Sequence, residues 1–269
     1  MAIITISRGS YSRGKEVAEK VARRLGYACV SRDVLLDASE IFNASELKLE
    51  RAIHNAPSLL DRFSNGKERY ICYVKAALLS LFKEGNVVYH GLAGHFFVQG
   101  IGHALKVRIT ADMEDRVRLE MERTGMDAKQ AARLLRDDDE QRRRWSQWLY
   151  GRDTFDPALY DIGLHLTRMT TDDAADIICR TAESPSFRTT PRSEQNLKDL
   201  ALAAQVEAAL VETVVDVQVH AENGDVHVCA RVNPLLQEEA ESELSRRVAL
   251  ISGVRNVRVM LNPVAIFNG

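Results

Sequence analysis

The chain has 269 residues and a formal net charge of -2, enough for one large domain or two ordinary ones, without the broad basic field that nucleic acid would require. No apolar run reaches the length of a membrane span, and no basic segment with a long apolar core precedes the first strand. A cytoplasmic protein without a transmembrane segment is therefore expected. Cys29, Cys72, Cys179 and Cys229 are widely spaced and form no C-x-x-C pair, which predicts reduced, half-buried thiols.

Ile3, Ile4 and Ile6 form a short apolar strand that runs into Gly9-Ser10-Tyr11-Ser12-Arg13-Gly14-Lys15. Val17, Val21 and Leu25 then repeat at helical spacing. A G-x-x-x-x-G-K loop between strand and helix predicts a phosphate cradle. Backbone N–H groups of Gly9, Ser10, Ser12, Arg13 and Gly14 would curl around phosphate oxygens. The helix N-terminus adds partial positive charge, and Lys15 brings a mobile ammonium to the β- and γ-phosphates. Glu16 follows, where such loops carry a Ser or Thr hydroxyl for Mg²⁺. A carboxylate there would repel a polyphosphate, so Glu16→Thr is expected to raise any transfer rate.

Further strands are expected over residues 26–30, 86–90, 105–110 and 160–166, with helices over 34–44, 67–84, 113–124, 128–150 and 171–181. This alternation predicts an α/β fold, a mostly parallel sheet with helices on both faces and ligands at the carboxyl ends of its strands. Residues 183–193, rich in Pro, Ser and Thr, read as a linker between a domain at 1–182 and another at 194–269. In the second, a helix over 197–210 puts Leu200, Ala203, Val206 and Leu210 on one face. Alternating strands flank a tight turn at Asn223-Gly224, and a helix over 236–251 and a strand over 254–261 follow. The order α-β-β-α-β predicts a small α+β domain.

Several segments follow the glycine loop in a set order: Ser31-Arg32-Asp33, His90-Gly91-Leu92-Ala93-Gly94-His95, the passage from Lys106 to Ala111 with Asp115-Arg116, then Asp138-Asp139 with Arg142-Arg143, and Asp156 to Asp161. In that order the chain, from residue 3 to about 182, resembles the cytidylate kinase-like branch of the P-loop nucleoside-monophosphate kinases. The resemblance implies ATP-dependent phosphoryl transfer to a nucleoside monophosphate, CMP leading, with Mg²⁺ required. The tail resembles a BON domain through its element order, its turn glycine and the passage Ser252 to Val257. That likeness implies a protein or lipid ligand and no catalytic residue.

Moving a phosphoryl group between two polyanions needs cations over the transferring group and a lid against water. Arg136, Arg142, Arg143 and Arg144 on one helix could provide that lid, or could decorate a solvated face. Asp139 and Arg142, three apart, could pair while the lid is open. Lys15, Arg142 and Asp139 are the candidate catalytic residues. Arg32 and Asp33 lie where the resembling kinases begin to bind the monophosphate: Arg32 could clamp its phosphate, while Ser31 could equally cap a helix with Asp33 in its first turn. Asp33, Asp139 or the nucleotide itself could hold the metal. Arg108, Arg116 and Arg118 read as surface residues. Related proteins tend to have Gly-Arg where this chain has Gly91-Leu92, and His90 and His95 flank that gap as substitute donors. Trp145 and Trp148 could stack on a base or anchor the helix. Two other functions remain open: a nucleotide-binding sensor that has lost transfer and signals through the tail, and a docking protein on a kinase-like scaffold.

Overall fold

The structure, a computed structural model, describes residues 2–9, 12–31, 66–91, 93–232 and 237–263. Its larger sheet holds β1 (Ile3–Arg8), β2 (Ala28–Ser31), β3 (Val87–His90), β4 (Ala104–Thr110) and β5 (Ile162–His165) in the order β2-β3-β1-β4-β5. All neighbours are parallel. Parallel strands need crossover connections, and the helices supply them on both faces. Helices α1 (Gly14–Leu25) and α6 (Thr171–Ala182) cover one face, where Ile4, Ile6, Val88, Leu105, Val107 and Ile109 form the core. On the other face lie α2 (Gly66–Glu84), the short α3 (Gly94–Phe97) and α7 (Pro191–Leu210), packed on Ile3, Val87, Tyr89 and Ala104. Helices α4 (Met113–Thr124) and α5 (Ala128–Tyr150) form an antiparallel arm beyond β4. An Asp127–Gln130 capping box starts α5.

The expected α/β class is present, and the bounds of α4 and α5 coincide with the sequence expectation. The helix expected over 34–44 lies outside the described residues. The stretch read as a linker holds more order than its composition suggests. Pro185–Phe187 is a single 3₁₀ turn, and Thr190 caps α7 with Pro191 in its first turn. Proline and threonine here start a helix rather than break one.

The smaller sheet has β6 (Val215–Glu222), β7 (Asp225–Val232) and β8 (Asn256–Pro263) in that order. A two-residue hairpin joins β6 to β7, with Asn223 at φ 51° and Gly224 at φ 87°, the primed turn that matches strand twist. The crossover helix α8 (Gln237–Ala249) then brings β8 parallel to β7. The expected order α-β-β-α-β is the observed one. Helix α7 serves both cores: Leu197, Ala201, Ala204 and Ala208 face the larger sheet, whereas Leu202, Ala203, Val206 and Leu210 face the smaller. Of the four cysteines, Cys72, Cys179 and Cys229 are half-buried as expected, while Cys29 is exposed.

Candidate functional site

The glycine loop leaves the carboxyl end of β1 at the centre of the sheet. Gly9 N–H donates to the Ile109 carbonyl (3.1 Å). The fully buried Ser12 folds the loop by donating its hydroxyl to the Gly9 carbonyl at 2.9 Å. Arg13 takes a left-handed φ of 58° at the N-cap of α1, so the chain turns sharply into the helix. A Cβ on Gly14 would stand 2.7 Å from the Arg8 side chain. Glycine at that position lets the arginine lie across the helix start. Ser10 lies outside the described residues. Lys15 is largely exposed, its ammonium 3.8 Å from Glu19 one turn on.

Glu16 corrects the sequence expectation. Its carboxylate accepts from the Thr171 hydroxyl (2.7 Å) and pairs with Lys20 (3.2 Å). The Thr171 hydroxyl and, after it, Lys20 hold the carboxyl below its ordinary value. Glu16 thus joins α1 to the first turn of α6, where Thr171 and Lys20 offset a charge that still reaches Arg13 of the loop, and the repulsion argument weakens. Lys20 and Arg24 extend the same seam to Asp172 and Asp176.

Two of the arginines expected on the surface are not there. Arg116, only 7% exposed, reaches from α4 to Asp139 of α5 (2.7 Å), and the pair lies within about 4 Å of where a Cβ on Gly9 would be. Asp139 therefore ties α5 to α4 and holds Arg116 beside the glycine loop, a partner the three-residue spacing to Arg142 did not suggest. Arg108 is half-buried on β4 and donates to the Ser7 hydroxyl (3.2 Å) and the Tyr160 hydroxyl (3.3 Å). Arg118 is a surface residue, paired with Asp115.

Across the strand ends from α1 lies a narrow cleft of about 20 Å³, lined among others by Ser7, Arg8, Gly91, His95, Arg142 and Ser146. The sequence candidates Arg142 and His95 meet there. His95 is 2% exposed, with its ring against Phe96 and Tyr160. Burial, reinforced by the Arg108 and Lys106 charges, pushes its pKa down to about 3, so the imidazole is neutral. Arg143 is tied to Asp153 (2.6 Å) and Arg144 to Glu140 (2.8 Å), while Arg136 is exposed. Trp148 is half-buried against the core, which is the anchoring use. Arg32, Asp33 and Leu92 lie outside the described residues, as does the Trp145 side chain. The role of Phe155 and Tyr160 in holding Arg108 escaped the sequence reading, because the contact spans 52 residues for Tyr160 and no local spacing encodes it.

Among the described residues no three His, Cys, Asp or Glu side chains gather as a metal-holding group, and no helix is long and apolar enough to cross a membrane. Residues 3–168 match the sequence model of the cytidylate kinase-like family. An uncharacterized protein from Eubacterium ventriosum superposes with a TM-score of 0.53 at 19% identity, covering 68% of this chain and 99% of that one. Two weaker superpositions cover almost the whole of the other protein. One is a shikimate kinase from Bacteroides thetaiotaomicron (TM-score 0.40, 11% identity, 68% of this chain and 99% of that one). The other is the YorR protein from Bacillus subtilis in complex with phosphorylated GDP (0.43, 12%, 70% and 100%). The fold likeness rests on the first of the three. No curated protein matches this chain.

Proposed function

The chain belongs to the cytidylate kinase-like family, and from that premise we propose that it transfers a phosphoryl group from ATP to a nucleoside monophosphate, CMP foremost. The observation that carries this reading is one of placement. The glycine loop and α1 sit on one side of the β1 end, and an arginine-lined cleft sits on the other. Two polyanions brought to those sides would meet over Ser7 and Arg8. The start of α1 supports an anion there, because backbone N–H groups of a helix start attract negative charge, and the Arg8 side chain lies against Gly14. In this reading the loop amides and Lys15 hold the donor phosphates, and Arg142 neutralises charge on the moving group. Asp139 acts indirectly, fixing Arg116 beside Gly9. Arg32 and Asp33 keep their proposed place at the acceptor.

The described residues do not fit a protein-held Mg²⁺. Glu16 is taken by Thr171 and Asp139 by Arg116, so no step is assigned to a metal here. The cleft is far smaller than the several hundred Å³ of a ligand pocket, so an acceptor needs α5 and the 153–160 segment to part. That narrowness, with Lys15 turned toward Glu19, favours the second reading: a nucleotide sensor with weakened transfer, signalling through the tail. For the tail, the α-β-β-α-β order supports a BON-like module that docks a protein or lipid ligand, and a cytoplasmic setting completes the proposal.

The deciding assay supplies purified protein with ATP, Mg²⁺ and each nucleoside monophosphate. Acceptor-dependent ADP formation that disappears in Lys15→Ala is the expected result. Saturable nucleotide binding with no turnover selects the sensor. No thermal shift with any nucleotide at millimolar concentration rejects both.

A further inference from the structure

Strand side chains alternate between faces, and this assigns Arg108 a position. On β1, Ile4 and Ile6 face α1, and on β4 so do Leu105, Val107 and Ile109. Ser7 and its register partner Arg108 therefore point to the opposite face, the side of the cleft. There the Arg108 guanidinium donates to two neutral hydroxyls, of Ser7 and Tyr160. Among the described residues no carboxylate lies within ion-pair distance of it; the Asp153 carboxylate, which feels the Arg108 charge, is paired with Arg143. Tyr160 is itself held by Thr154, whose carbonyl accepts its hydroxyl at 3.0 Å. The guanidinium also lies 4.8 Å from the centre of the Phe155 ring and 5.6 Å from that of Tyr160. Phe155 is 53% exposed. The Arg143 guanidinium is 5.6 Å from the same ring, but Asp153 balances its charge.

A half-buried cation resting on aromatic rings and hydroxyls retains its charge for an incoming anion. Desolvation makes it a stronger partner than a surface arginine. We infer that Arg108 binds the phosphate of the acceptor monophosphate, on the side of β1 away from the donor loop, and that Phe155 and Tyr160 are positioning residues that aim its guanidinium. The inference rests on the kinase reading above and adds to it a substrate contact that does not come from the α5 arginines.

The test is steady-state ADP formation by the full chain, varying CMP (or whichever monophosphate turns over) and ATP separately. Arg108→Gln is expected to raise the KM for the monophosphate roughly 10- to 100-fold, the scale of a lost charge-assisted hydrogen bond. The KM for ATP and calorimetric ATP binding stay at the wild-type level. Arg108→Lys recovers part of the loss. Phe155→Leu, which removes a ring and no charge, raises the monophosphate KM by about 2- to 5-fold. An unchanged monophosphate KM in Arg108→Gln overturns the assignment, and so does a rise confined to ATP or shared equally by both substrates. If Arg108→Gln fails to fold, Arg108→Lys and Phe155→Leu decide by the same split. A wild-type chain that turns over no monophosphate sinks the kinase reading and this inference together, whereas an active wild type with indifferent variants sinks only the latter.

Discussion

The two sheets of this protein bury themselves in different ways, and the difference shows where chemistry can reside. The five-stranded sheet is covered on both faces, so β1 and β3 are buried almost throughout and Thr5 and Tyr89 sit fully inside. All its strands run the same way, which brings Ser7, Arg8, Gly91 and Arg108 to one rim. Among the described residues the three-stranded sheet has helices on one face only. On β7, buried Val226, Val228, Ala230 and Val232 alternate with more exposed His227, Cys229 and Arg231. Its polar side chains spread over a solvated face and do not converge on a cleft. A doubly covered parallel sheet concentrates functional groups; a half-covered one disperses them.

The sharpest challenge to that contrast asks whether the two sheets are separate at all. Helix α7 gives apolar residues to both cores, and Glu207 ties Lys75 of α2 (2.7 Å) to the Val219 N–H of β6 (3.3 Å). Leu244→Ala lies wholly in the smaller core and is expected to cost about 2–5 kcal/mol. It should lower the midpoint of a single thermal transition that includes the larger sheet. Two resolved transitions in calorimetry, with only one displaced, would show that α7 does not couple them.

A second prediction concerns acid. His95 has its pKa lowered to about 3 by burial and then by Arg108 and Lys106, against 6.5 for an ordinary histidine. The unfolded chain therefore binds more protons between those values. Stability from this group is fully present above about pH 6.5 and declines as pH falls toward 3, by about 1.4 kcal/mol per pH unit within that window. Denaturation curves from pH 7 to pH 4 should show a flatter dependence in His95→Phe than in the wild type. Equal slopes would place the acid sensitivity elsewhere, for example in the smaller sheet.

The smallest expected effect is that of Glu16→Thr. Because Glu16 is half exposed, loss of its contacts with Thr171 and Lys20 should cost under about 1 kcal/mol. Transfer rate should stay within about twofold of wild type. A clear gain in rate would restore the picture of a carboxylate opposing the nucleotide.

Much of this architecture is written in local patterns. Helical periodicity located α4 and α5, and Asn223-Gly224 marked the hairpin, because turn geometry and amphipathic spacing depend on residues close in the chain. The glycine loop was legible for the same reason, being one continuous strand, turn and helix start. The surroundings of that loop were not. Glu16 reads as an obstacle to phosphate until Thr171, 155 positions away, turns it aside. Arg116 reads as a surface residue until Asp139 buries it, and Arg108 as another until Ser7, Phe155 and Tyr160 surround it. Sequence alone determined which segments become strands and helices and which loop could hold phosphate. Only tertiary packing decided where each charge went, since an ionised side chain takes its environment from distant neighbours.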